Sequence, residues 1–178
     1  MPLAPLPGVT RWLGAIALVC SAAISLPWAE ELGTPSRLRA RDAHGHLFDI
    51  ADFDGQVVVL TVASRKTAHE ARTISSRLSS VVSPGRVAVV ALVNLESVPW
   101  FAIRYAKRRV AEEAAHSRFI VLPDEGGRLC RRLAVRGAEI LLFDRRGQLR
   151  YRFRGTTELE QALQTVEELQ QESLPVPR

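Results

Sequence analysis

A lone thiol and a basic threonine–glutamate run are the residues of this sequence best equipped for chemistry. Cys130 stands among Arg128, Arg131 and Arg132, and neighbouring cations stabilise the thiolate that reacts. On that basis Cys130 is a candidate nucleophile for a single-cysteine peroxidase or thiol oxidoreductase. The same residue lies in Leu129-Cys130-x-x-Leu133-Ala134, an apolar helical spacing in which a free cysteine packs as a small hydrophobe. Packing is the expectation. The second run, Arg65-Lys66-Thr67-x-x-Glu70, falls where an extended segment gives way to a helix. Basic side chains beside the free N–H groups of a helix N-terminus favour a carboxylate or phosphate guest. Arg65, Lys66, Thr67 and Glu70 are therefore the candidate ligand-binding residues. The alternative is a solvated loop whose basic residues pair with Glu70. Thr67-x-x-Glu70 is also the spacing of a capping box, in which threonine and glutamate satisfy the helix's first N–H groups reciprocally.

Other constellations are weaker. His44 and His46 flank Gly45 without a clear third ligand, so they make a solvated turn rather than a metal site. Arg104, Lys107 and Arg108 recur at three- and four-residue spacing, giving a basic stripe that faces either solvent or an anionic envelope surface. No Ser-His-Asp set, glycine-rich phosphate loop or paired-carboxylate motif stands out, and no cofactor or metal is expected.

The chain has 178 residues, enough for one domain of ordinary size. Its net charge is +5, and Lys66 and Lys107 are the only lysines among 24 basic residues. The arginines are spread along the chain, as a GC-rich coding sequence would produce. From Trp12 to Ala29 there is no charge, and Arg11 stands just before this stretch. A basic residue, an apolar run and then small residues form the pattern of a secretory signal. Residues 1–29 are therefore expected to be a signal peptide cut between Ala23 and Ala29, or an uncleaved membrane tether. Either places the domain in the periplasm, away from nucleic acid. Cys20 leaves with that segment or sits in lipid, so Cys130 is the only thiol of the domain. A linker at 30–36, a domain over 37–172 and a flexible tail at 173–178 complete the organisation.

The elements that must position these residues follow from hydrophobic period. A hairpin is expected over 37–41 and 46–50, around Asp42-Ala43-His44-Gly45. Gln56–Val62 and Arg86–Leu95 are nearly continuous β-branched runs, the pattern of strands buried on both faces. Thr67–Val82 carries Ala71, Ile74, Leu78 and Val81 at helical spacing, and Val98–Ala115 carries Phe101, Tyr105, Val110 and Ala114. A strand at 118–122, a short helix at 127–135, a hairpin over 139–144 and 148–153, and a helix at 158–171 follow. Alternating strands and helices with a late hairpin define an α/β class with a central mixed sheet.

Asp42–Leu60 and Ile140–Tyr151 resemble the opening and closing hairpins of the thioredoxin-like fold, in the form shared by extracytoplasmic thiol reductases and peroxiredoxins. The match spans roughly residues 37–171. Redox members place paired cysteines at the start of the helix after the first buried strand; an ungapped alignment puts Thr67 and Glu70 there. Such enzymes also carry a cis-proline before the late hairpin, where this sequence has Arg136-Gly137-Ala138-Glu139. Within this fold, Val59–Glu70 and Ser117–Val121 resemble the periplasmic YtfJ family, which has a basic-threonine run and a nearby glutamate in place of the cysteines. The resemblance implies a periplasmic domain without a Cys-x-x-Cys centre. It would bind an envelope protein or an anionic ligand, with Cys130 chemistry as the rival.

Overall fold

The computed structural model describes residues 38–83 and 85–171. The expected signal segment, linker and tail, and Cys20, lie outside the described residues. Two strands open the fold, β1 (Arg39–Arg41) and β2 (Leu47–Asp49), paired antiparallel. The turn between them is built on Asp42, whose Oδ1 accepts the N–H groups of His44 and His46 at 2.9 and 2.8 Å. His46 also pairs through Nδ1 with Asp42. A 3-10 turn over Ile50–Phe53 then leads into the sheet.

The sheet is centred on β3 (Val57–Ser64), whose sequence Val-Val-Val-Leu-Thr-Val-Ala-Ser is buried up to its last residue. Such a run can face packed layers on both sides. β4 (Val87–Asn94) lies parallel on one flank of β3, and β6 (Glu139–Phe143) lies antiparallel on the other. β5 (Ile120–Asp124) and β7 (Leu149–Arg154) are the outer strands, giving the order β5-β4-β3-β6-β7. This is the central mixed sheet expected from the sequence.

Alternation along β3 divides the core in two. Val58, Leu60 and Val62 pack with Phe48, Ile50, Leu122, Cys130 and Leu133, against the hairpin and the short helix α3 (Arg128–Arg132). Val57 and Val59 face the other way. They pack with Ile74 and Leu78 of α1 (Ala68–Val81) and with Ala162, Val166 and Leu169 of α4 (Leu159–Gln171). The helix α2 (Ile103–Ala115) covers the β4–β5 end of this second face, but only Ala114 of α2 is buried. It begins five residues later than the hydrophobic pattern suggests. Leu95 and Pro99 carbonyls instead accept from Val98 and Ala102 in successive turns, both at 2.9 Å. Phe101 and Tyr105 are consequently not core residues; they are 73% and 64% exposed. No helix among the described residues is long and apolar enough to cross a membrane.

Candidate functional site

β3 delivers the chain to the turn Arg65-Lys66-Thr67, and α1 starts at Ala68. Arg65 and Lys66 are exposed, and neither forms an ion pair among the described residues. The capping box expected from Thr67-x-x-Glu70 does not form. Thr67 sits at the N-cap with no side-chain bond into the helix. Its Oγ1 turns back to accept the N–H of Ser64 at 2.9 Å and lies 3.2 Å from the Ser64 hydroxyl. The main chain closes the same turn, with Thr67 N–H donating to the Ser64 carbonyl at 3.0 Å. The last N–H of β3 outcompetes the helix for the threonine oxygen because this tight turn places it within reach.

Glu70 also points elsewhere. Its Oε1 accepts the N–H of Thr156 at 2.9 Å and lies 3.4 Å from the Thr156 hydroxyl. Thr156 belongs to the turn between β7 and α4, and the preceding Gly155 donates to the Ala138 carbonyl at 2.9 Å. Gly155 has φ +56, and a Cβ there would stand 2.5 Å from Glu70 Oε1. The carboxylate therefore ties the first turn of α1 to the β7–α4 turn, which Gly155 in turn bonds to the loop entering β6. Glu70 is not the partner of Arg65 or Lys66.

The loop entering β6 is fixed by an ion pair. Glu139 and Arg152 side chains are 10% and 15% exposed and meet at 2.8 Å. Glu139 also accepts the N–H of Arg136 at 3.1 Å. Arg152 donates to the carbonyls of Leu133 and Ala134 at 2.6 and 3.1 Å, which pins the end of α3 to β7.

Cys130 lies on the face of the sheet opposite α1, only 3% exposed. Its thiol is pushed up to about 12 by burial first, then by the charge and hydrogen bonding of Asp124. Asp124 is itself buried and accepts the N–H of Cys130 at 2.9 Å. The arginines beside Cys130 do not reverse this. Arg128, Arg131 and Arg132 are exposed, and Arg131 pairs with Glu96. The structure thus separates Cys130 from the Arg65–Glu70 turn rather than joining them. The basic stripe on α2 is partly neutralised, since Lys107 pairs with Glu125 at 2.6 Å and Arg108 with Glu112 at 3.2 Å. Among the described residues no three His, Cys, Asp or Glu side chains are grouped to hold a metal ion.

One feature escaped the sequence. Between α1 and α2 lies a cleft of about 550 Å³, floored by the sheet and reaching Arg65. Its rim carries Phe101 and Tyr105, and the neighbouring Trp100 is 86% exposed and meets Phe101 edge-on at 6.0 Å. The only signals were small residues at strand positions, Ala63 and Ala91, and the aromatic pair Trp100-Phe101.

No family model matches the sequence, and a comparison with curated proteins finds no match. Solved structures do match. The chain is similar to the pneumococcal exposed lipoprotein thioredoxin Etrx1 from Streptococcus pneumoniae, at 18% identity and a TM-score of 0.62, covering 74% of this chain and 98% of that one. A thioredoxin-like superfamily protein aligns at 18% identity and TM-score 0.66, over 79% and 99% of the two chains. A DsbE-type thiol:disulfide interchange protein from Chlorobium tepidum aligns at 17% identity and TM-score 0.55, over 77% and 95%. At such identities the likeness speaks for architecture alone. With its mixed five-stranded sheet, flanking helices and opening hairpin, this chain has the thioredoxin-like fold.

Proposed function

We propose that this chain is an exported thioredoxin-like domain that performs no thiol chemistry and acts by binding an envelope protein or an anionic ligand. The observation that carries the reading is the state of the helix start where redox relatives hold their cysteines. Thr67 is spent on closing the Ser64 turn and Glu70 on holding Thr156. The rival nucleophile, Cys130, is buried on the opposite face with its thiol pushed up to about 12. Arg65 and Lys66, exposed beside an N-terminus that Thr67 does not cap, favour an anionic guest. The charge-free run before Ala29 and the likeness to an exposed lipoprotein support a location outside the cytoplasm. Within the fold, the run Val59–Glu70 supports kinship with the YtfJ family.

Dithiothreitol-driven reduction of insulin tests the reading. The native chain should not accelerate precipitation over dithiothreitol alone, whereas the pair Thr67→Cys and Glu70→Cys should. Acceleration by the native chain overturns the proposal.

A further inference from the structure

The cleft between α1 and α2 is large for a gap between packed helices, and its cause is visible in the sheet. Ala63 and Ala91 present methyl groups where neighbouring positions of the same strands carry valine. α2 stands off the sheet at its N-terminal end, burying only Ala114 near its C-terminus. The result is a space of about 550 Å³, within the range of roughly 300–1,000 Å³ typical of small-molecule sites. Its floor and walls include Ala71, Val93, Ala106, Val110 and Val121.

Of the polar side chains that line it, most are already engaged. Ser75 lies 2.5 Å from the Thr61 hydroxyl, which approaches the Val90 carbonyl. Arg72 pairs with Glu113, and Arg109 pairs with Glu112 at 3.2 Å. The exposed Tyr105 and Arg65 remain, and Arg65 lies at the end nearest the β3–α1 turn, exposed and outside any ion pair among the described residues. An apolar slot with one unengaged cation at its end matches a hydrocarbon chain bearing one negative head group. A peptide suits it less, because each buried N–H and C=O would need a partner that these walls do not supply.

We infer that this cleft holds the chain of a monomeric fatty carboxylate, with Arg65 pairing with its head group. The inference rests on the reading of the domain as a binding protein and names its ligand class. Titration calorimetry on the full chain tests it, using sodium decanoate, dodecanoate and tetradecanoate below their micelle concentrations. Each methylene taken from water strengthens binding about fourfold, so dodecanoate should bind about 15-fold more tightly than decanoate at one per chain. Dodecyltrimethylammonium, with the same tail and opposite charge, should bind more weakly. Arg65→Gln should weaken dodecanoate about 1.5-fold to fivefold, the range for an exposed ion pair, and spare the cation. Ala106→Phe, filling the cleft from α2, should abolish saturable binding. The chain-length series on the native chain decides the matter even where that variant fails to fold. Absence of chain-length dependence, equal binding of both head groups, or binding only to anionic phospholipid vesicles would each overturn the inference. Those outcomes leave the non-catalytic reading intact, while insulin reduction by the native chain overturns that reading and leaves the calorimetry unchanged.

Discussion

Replacing Arg152 by methionine probes the ion pair that fixes the loop entering β6. The substitution keeps most of the apolar stem and removes the charge. Glu139 then keeps the Arg136 N–H as a partner but loses its cation, in a site where its own side chain is 10% exposed. Breaking a buried pair by removing one member costs roughly 3–5 kcal/mol. The small residual exposure and the remaining N–H bond put the expected loss near the lower end, about 3 kcal/mol, a large share of a domain's usual 5–15 kcal/mol. Adding Glu139→Leu removes the stranded carboxylate. The bonds to Leu133 and Ala134 are lost in both variants, so the second substitution adds only the loss of the Arg136 bond, worth about 0.5–1.5 kcal/mol net. The double variant should therefore be no less stable than Arg152→Met alone, and the two effects should be strongly non-additive. Urea unfolding of the four chains followed by circular dichroism supplies the cycle. Because Arg152 holds the Leu133 and Ala134 carbonyls next to Cys130, the single variant should also hasten Cys130 modification below the unfolding transition. A loss under about 1 kcal/mol, the range of exposed pairs, or an additive cycle, would refute the reasoning.

Cys130 should make the domain sensitive to alkali. Its folded thiol is pushed from an ordinary 9.0 up to about 12. A folded-state value above the unfolded one gives stability that is fully present below pH 9 and is lost as pH rises toward 12. The loss should reach about 1.4 kcal/mol between pH 8 and 10, and a Cys130→Ala chain should lack that part of the slope in chemical denaturation. Gly155→Ala should cost more than Gly147→Ala. Both glycines have positive φ, +56 and +70, but only at Gly155 would the new Cβ meet Glu70. The left-handed conformation accounts for roughly 1–2 kcal/mol in each, and losing the Glu70–Thr156 bond adds about 1 kcal/mol at Gly155 alone. Equal losses in thermal unfolding would contradict the link between α1 and the β7–α4 turn.

The scaffold was legible because its signals are local. The β-branched runs at Val57–Val62 and Val87–Val93 can be satisfied only by a doubly covered sheet, and Ala162, Val166 and Leu169 carry a clean helical period. The site was less legible because its geometry depends on competition between partners. Thr67-x-x-Glu70 fits a capping box by spacing, yet the Ser64 N–H is closer to the threonine, and Thr156, 86 residues along the chain, takes the glutamate. The pattern through Phe101 and Tyr105 suggested a buried helix face, but the turns from Leu95 to Ala102 delay the helix and leave both rings outside. Sequence position likewise set three arginines around Cys130, while the short helix α3 turns the thiol inward and the guanidinium groups outward. The cleft is a property of how far α2 stands from the sheet, which no spacing of residues encodes.

The claim that the domain performs no thiol chemistry is tested most directly by the reactivity of Cys130 in a Cys20→Ser chain, where it is the only thiol. The rate of reaction with an aromatic disulfide at pH 8, and of sulfenic acid formation with hydrogen peroxide, would be compared in native buffer and in urea. With its thiol at about 12, the folded chain should react at least about a thousandfold more slowly than the unfolded one, since the thiolate alone is the nucleophile. Rapid modification or oxidation of Cys130 in the folded chain would contradict the account and make this thiol the working residue.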